Sequence, residues 1–237
     1  MSEIVYGVRP VVEVLRTGRR RVFEVLDATG NKEVSELATD RGVPLKRVPR
    51  SEIDALARGA THQGLAARTG SYPYAGLDDV LARPDPIIVV LDGVMDPHNL
   101  GAVLRVADGT GASGVVIPKD RSVGVTAAAV KASAGASEHV LVARETNLRR
   151  AIDRMKAAGV WVYAADEGGE EYTRLDLSGP VALVLGSEGR GVRRLVREGC
   201  DGVVSIPMLG AVESLNVSVA AAVVLYEARR QRGWPRT

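Results

Sequence analysis

The chain has 237 residues, 46% of them hydrophobic and 25% charged, with a formal net charge of +2. That length fits one large domain or two small ones, and the apolar content suffices for a real core. No run of about 18 apolar residues occurs, so no membrane-spanning helix is expected. The opening MSEIVYGVRP lacks the basic and apolar regions of a signal peptide. Cys200 is the single cysteine and there are three histidines, which leaves no disulfide framework and makes a metal site improbable. A cytoplasmic protein is the expectation.

The spacing predicts a helix over 7–15, with Val8, Val11, Val12 and Leu15 on one face. Residues 22–27 read as extended, 34–41 as helical and 44–48 as extended. Ser51 is expected to cap a short helix ending at Arg58, with Glu52 and Asp54 at its positive end. Residues 63–68 read as a strand. Residues 1–70 thus predict a small α/β unit with its own core. They carry 12 Lys and Arg against 9 Asp and Glu, whereas residues 71–237 carry 19 against 20. The clusters Arg16, Arg19, Arg20, Arg21 and Lys46, Arg47, Arg50 suit a phosphate backbone, and equally a solvated surface. Residues 71–86, with Pro73, Pro84 and Pro86, read as a linker holding a short helix over 77–83.

From residue 87 the alternation is regular. Residues 87–91 form an all-apolar run, hence a buried strand. A helix is expected over 99–110, a strand over 114–117 and a helix over 126–133. Residues 140–142 are extended, 147–158 helical and 160–164 extended. The apolar runs 181–185 and 203–206 each stop at a turn-forming cluster. Residues 213–216 then open a helix that is apolar almost all round over 217–225. Strands alternating with helices imply a mostly parallel sheet covered on both faces. A helix that apolar must also be covered by something besides its own sheet, most simply a second copy of the chain.

Three clusters sit where strands end, which is where α/β proteins place ligands. The first places Asn99 and Arg105 after the first strand of this part. Six residues apart is not one helix face, so Asn99 is expected in the pre-helical loop or first turn, from where both can reach one pocket. Alternatively, Asn99 caps the helix and Arg105 pairs on the surface. The second cluster is Gly186-Ser187-Glu188-Gly189-Arg190-Gly191. It is neither a P-loop nor G-x-G-x-x-G, and it fails G-x-S-x-G, which makes Ser187 a poor nucleophile. The third is Ile206-Pro207-Met208 with Glu213-Ser214-Leu215-Asn216, where Ser214 is also a possible cap.

Together, N-x-x-x-x-x-R, G-x-E-G-x-G and I-P-M followed by E-S-L-N-V-S-V-A resemble, over residues 87–230, the SpoU (TrmH-type) branch of the SPOUT RNA methyltransferases. Residues 1–70, ending in His62-Gln63-Gly64-Leu65-Ala66-Ala67, resemble the L30e-like substrate-binding domain that precedes it in rRNA-modifying members. The whole is most similar to bacterial 23S rRNA guanosine 2′-O-ribose methyltransferases. One departure is Glu213, where several of those members have Ser, which leaves the target nucleoside open.

The resemblance implies an L30e-like RNA-binding domain (1–70), a linker (71–86) and a SPOUT domain (87–237) whose C-terminal segment forms a trefoil knot. It implies S-adenosylmethionine held by Gly186, Ile206 and Leu215, with no metal, and a homodimer acting on 23S rRNA. A Cβ at Gly186 is expected to hold the cofactor away. The reaction implied is attack of a ribose 2′-oxygen on the sulfonium methyl. The family assigns the decisive role to the residue matching Arg105, and Asn99, Glu188, Ser214 and Asn216 match its other polar positions. A guanidinium of pKa above about 12 is a poor base. Arg105 is therefore expected to hold RNA phosphate and stabilise developing alkoxide, with phosphate or water taking the proton. Competing readings are the same chemistry on tRNA or at another rRNA site, and a non-catalytic RNA-binding protein.

Overall fold

The computed structural model describes residues 2–187 and 189–234. The first part builds a four-stranded sheet from β1 (Glu3–Tyr6), β2 (Val22–Asp27), β3 (Leu45–Arg47) and β4 (Leu65–Thr69), in the order β1-β4-β2-β3. It is packed by α1 (Val8–Thr17), α2 (Lys32–Asp40) and α3 (Arg50–Ala57). The apolar stripe of α1 buries Val11, Val12, Val14 and Leu15. β1 escapes a periodicity reading because it has only four residues. Ser51 is not the cap of α3: Pro49 holds that position without a side-chain bond, and Ser51 lies inside the first turn.

The second part forms a six-stranded sheet from β5 (Ile87–Asp92), β6 (Gly114–Pro118), β7 (Val142–Glu145), β8 (Trp161–Glu171), β9 (Val181–Gly186) and β10 (Gly202–Ser205). Its order is β10-β8-β9-β5-β6-β7, and every neighbouring pair is parallel. The connecting helices are α4 (Leu77–Leu81), α5 (Pro97–Gly109), α6 (Ala127–Ala132), α7 (Leu148–Ala157), α8 (Arg194–Arg197) and α9 (Val217–Arg232). β5 is buried along its whole length because helices cover both faces. Ile87, Val89 and Leu91 pack with Leu104 of α5 and Leu225 of α9. Ile88 and Val90 pack on the other side with Val80 of α4 and Ile152 of α7. A strand dry on both sides has no polar face to alternate with, hence its unbroken apolar run.

The segment 71–86, expected as a linker, is pinned. Tyr72, Leu77 and Val80 are buried. The Tyr72 hydroxyl donates to the Ser137 carbonyl at 2.7 Å, and the Ala75 N–H donates to the Val142 carbonyl at 2.9 Å. Arg20, counted in the sequence as part of a basic surface, is likewise buried. Among the described residues, no helix is long and apolar enough to cross a membrane, and no cluster of side chains is suited to a metal ion.

Candidate active site

The carboxyl ends of β8, β9 and β10 enclose a cleft of about 380 Å³. Its walls come from three loops, and each has a local cause. β8 and β10 pair from Tyr163 to Ala164, then resume at Glu170. The intervening residues are looped out, and Ala165, Asp166 and Glu167 turn into the cleft. A bulge of this kind re-aims side chains beside a site. Gly169 closes the bulge, since a Cβ there would stand 2.5 Å from the Val203 carbonyl oxygen.

The second wall is the glycine loop after β9. Ser187 and Gly191 bridge across it, and the Gly191 N–H donates to the Ser187 carbonyl at 3.0 Å. Gly189 (φ 75°) and Gly191 (φ 60°) take the left-handed conformation that lets the chain double back. Gly186 is required for a different reason from the one its motif suggests. A Cβ there would lie 1.9 Å from the Gly191 carbonyl carbon and 2.3 Å from the Val192 nitrogen. The missing side chain makes room for the loop's own return, before any ligand is considered.

The loop is anchored by a residue outside all three motifs. Asp92 ends β5 opposite Gly186 and is fully buried. One of its oxygens accepts from the Arg193 N–H at 2.8 Å, and the other from Arg193 Nε at 2.7 Å. The sequence does carry a signal for it: an aspartate closing the all-apolar run IIVVLD lies in the interior and needs a partner there.

The third wall is the segment 206–216, exposed except at the half-buried Ile206, Met208 and Leu215. Ile206, Met208, Glu213, Ser214 and Leu215 line the cleft from this side, with Val217 and Ala220 of α9 below. α9 starts at Val217, so residues 213–216 precede the helix. Its cap is Asn216, not Ser214: the Asn216 Oδ1 accepts from the Ser218 N–H at 2.9 Å. The Asn216 Nδ2 donates to Asn99 Oδ1 at 2.9 Å. Asn99 lies in the first turn of α5, whose cap is Asp96, accepting from the His98 N–H at 2.9 Å. The positive ends of α5 and α9 thus meet at the Asn99–Asn216 contact.

Gly186, Ile206, Leu215 and Ser214 therefore share one cleft, and Asn99 and Asn216 join at its flank. Arg105 does not line it. It sits six residues along α5 from Asn99, about 9 Å further down the axis, exposed and with no hydrogen bond or ion pair among the described residues. Gly109, one turn on and on the same face, brings a Cβ position to 3.3 Å from the Tyr226 hydroxyl of α9. Helical spacing therefore turns Arg105 toward the side of α5 that faces Tyr226; Val219 and Tyr226 of α9, and Trp234 just beyond it, are exposed. Glu188 lies outside the described residues. Cys200 plays no part in the cleft; burial pushes its thiol up to about 11.

Residues 86–226 match the SpoU rRNA Methylase family, and residues 4–75 match the domain described as RNA 2′-O ribose methyltransferase substrate binding. The chain is 42% identical, over 97% of its length and 96% of the relative's, to YacO of Bacillus subtilis, named as a TrmH family tRNA/rRNA methyltransferase. It is 45% identical to a protein of Mycolicibacterium vanbaalenii named as an uncharacterized tRNA/rRNA methyltransferase, over 98% of this chain and 77% of that one. Its structure is similar to the SpoU methyltransferase AviRb of Streptomyces viridochromogenes in complex with AdoMet (TM-score 0.86, 27% identity, 98% of this chain and 90% of that one). It also resembles an AdoMet-bound rRNA methyltransferase of Sinorhizobium meliloti (TM-score 0.83, 28% identity, 97% and 87%). The tRNA-modifying TrmH/SpoU enzyme of A. aeolicus matches over only 66% of this chain and 80% of its own (TM-score 0.57, 30% identity). The fold is accordingly an α/β methyltransferase domain of the SPOUT type preceded by a substrate-binding domain. The chain belongs to the SpoU rRNA methylase family.

Proposed function

We propose that the protein is an S-adenosylmethionine-dependent ribose 2′-O-methyltransferase whose target is a guanosine of 23S rRNA. The observation that carries this reading is the cleft, where the glycine loop, Ile206 and Leu215 converge at the strand ends of a family-matched sheet. Its volume falls within the usual range for small-molecule sites. Its lining also fits the cofactor. Ile206, Leu215 and Val217 offer apolar walls to an adenine face, while the close-packed backbone at Gly186 and Ser187 offers polar groups to the ribose and amino-acid portions. When bound, S-adenosylmethionine supplies a sulfonium methyl electrophilic enough to need no metal.

The protein's share is orientation and charge. Asn99 and Asn216 fix two helix N-termini side by side, a place favourable to an arriving phosphate. Ser214 and Glu213, both exposed at the mouth, present polar groups to the ribose. Glu188 is assigned to ordering the glycine loop. Arg105 grips RNA phosphate with its planar fork and stabilises the alkoxide as the 2′-proton departs to phosphate or water.

Because Arg105 is turned toward the side of α5 that faces Tyr226 and does not line the cleft, the working unit is a homodimer in which Arg105 of one subunit serves the cleft of the other. In the single chain, Val219 and Tyr226 of α9 stay exposed, and a second copy would cover them. A target in rRNA is favoured over tRNA by coverage. The structures named for rRNA match the chain from end to end, and the tRNA enzyme matches two thirds of it. Mapping 2′-O-methyl sites in 23S rRNA and tRNA, with and without the protein, tests the reading. One protein-dependent guanosine in 23S rRNA is expected; a mark confined to tRNA would overturn the target, and none in either would overturn the activity.

A further inference from the structure

The seam between the two sheets holds a buried arginine–glutamate pair that the methyl-transfer chemistry does not use. The turn between α1 and β2 delivers Arg19 and Arg20 to the segment after α6. The Arg20 side chain is 2% exposed and that of Glu138 is 0%. Their contact is two-pointed: Arg20 Nε meets one carboxylate oxygen at 3.1 Å, and a terminal nitrogen meets the other. The far side of the guanidinium reaches Glu3 at 3.2 Å. Arg19 donates to the Val140 carbonyl at 2.7 Å and the Pro73 carbonyl at 3.3 Å. Both guanidinium groups lie over the Tyr72 ring, 5.5 and 5.3 Å from its centre. Burial raises the Tyr72 phenol above its ordinary pKa and keeps it the donor to the Ser137 carbonyl.

The seam is also held at other points. Lys131 of α6 donates to Gln63 at 2.6 Å, and His139 meets Glu13 at 2.9 Å. The Tyr74 hydroxyl accepts from the Val125 N–H at 2.9 Å. Ala127 of α6 packs into the small-domain cluster of Leu26 and Ile53.

A buried ion pair is a poor choice for stability alone, since well-packed apolar residues commonly do as well or better. It is a strict choice for geometry: sliding the seam by the length of a hydrogen bond leaves a dry carboxylate facing a dry guanidinium it no longer touches. We propose that Arg20 and Glu138 are positioning residues for methyl transfer, fixing the small domain at one attitude to the cofactor cleft so that a single ribose of the bound RNA is presented. This rests on the reading that the small domain holds RNA and the cleft holds S-adenosylmethionine.

The test uses the full chain and the double variant Arg20→Met/Glu138→Leu, which keeps the seam filled and leaves no orphan charge. One arm measures geometry without RNA. Spin labels at Arg50→Cys in α3 and Arg150→Cys in α7, with Cys200→Ser, report the distance distribution between the domains. Labelled chains are diluted so that each dimer carries one. A narrow distribution that broadens in the double variant is expected; one that is broad in the parent overturns the lock.

The second arm measures function. Cofactor binding and RNA affinity of the double variant should stay within about twofold of the parent. The single-turnover rate should drop toward about 100-fold, the scale of a misplaced reactant, with marks appearing on neighbouring riboses. Arg20→Lys, which keeps charge without the two-point grip, should fall between. A double variant with parental rate and a single mark overturns the positioning role, and a parallel loss of RNA affinity shows the seam to serve binding instead. If the parent itself binds no RNA, the functional reading fails, and the distance arm still decides the lock.

Discussion

Gly186→Ala isolates the glycine loop with the smallest possible perturbation. The added Cβ would lie 1.9 Å from the Gly191 carbonyl carbon, 2.1 Å from its oxygen and 2.3 Å from the Val192 nitrogen, where ordinary contact begins near 3.4 Å. All three atoms are backbone, so no rotamer change relieves the overlap, and the return limb must move by roughly 1.5 Å. It is held at both ends, by the Ser187–Gly191 bridge and by Arg193 on Asp92. Overpacking of this kind costs about 1–3 kcal/mol. If that cost falls on the cofactor site, affinity for S-adenosylmethionine drops by about 5- to 150-fold. Calorimetry with the cofactor or its demethylated product measures this, with a thermal melt to separate local from global loss. Gly210→Ala, in the loop across the cleft with nothing within 4 Å of the new methyl, is the control and should bind normally. Parental affinity in Gly186→Ala would show that the loop adjusts freely and refute the role given to its close packing.

Arg105→Ala should bind cofactor normally and lose about 100-fold or more in single-turnover methyl transfer, the scale for removing a transition-state donor. Arg105→Lys should be nearly as poor if the planar grip matters, and substantial rescue would mean that charge alone suffices. Asp92→Asn removes the charged acceptor for Arg193; urea unfolding should show a loss of about 2 kcal/mol, together with weaker cofactor binding, and an unchanged midpoint would remove Asp92 as the loop anchor. Light scattering should give twice the 25.1 kDa chain mass, and Tyr226→Glu should yield inactive monomer; an active monomer would defeat the shared site. Arg230, and then Gln231, hold the Glu227 carboxyl down to about 2. Its contribution is complete above the usual carboxylate value near 4.5 and is lost as pH falls from there toward 2. Thermal melts across that window should therefore show the stability gap between the parent and Glu227→Gln closing toward the acid end.

Legibility in the sequence follows from which interactions are local. β5, β6 and β9 are legible because each is an apolar run ending at a turn, and all are buried. The sheet order is not, because pairing β5 with β9 joins residues almost a hundred positions apart. The bulge of β8 stays hidden for a related reason: Asp166, Glu167 and Gly168 look like a strand's end, and only the partner strand β10 makes pairing resume at Glu170. Gly186, Ile206, Leu215 and Ser214 stand out by their motifs, and the cleft gathers them. The split of Arg105 from that cleft is invisible in the sequence, since helical spacing fixes an angle around α5 but not which neighbour stands beyond it.

Charge is the least legible feature of all. Arg16, Arg19, Arg20 and Arg21 read as one basic cluster, yet they have different fates. Arg16 pairs on the surface with Glu13 and Glu33. Arg19 and Arg20 are taken up by the seam, and Arg21 stays outside, 5.1 Å above the half-exposed Phe23 ring. An excess of 12 cationic over 9 acidic residues in 1–70 therefore overstates what that unit offers to a phosphate backbone. Deleting those residues would also strip Glu138 of Arg20, so a truncated chain cannot separate recruitment from catalysis. Substitution at the exposed cations is the sounder way to divide them. Arg9, Arg50 and Arg58 are exposed and have no carboxylate partner among the described residues. Neutralising them should make RNA binding less salt-dependent, in proportion to the number of phosphates they neutralise. Neutralising Arg20 should instead alter the rate and the marked ribose and leave that slope unchanged.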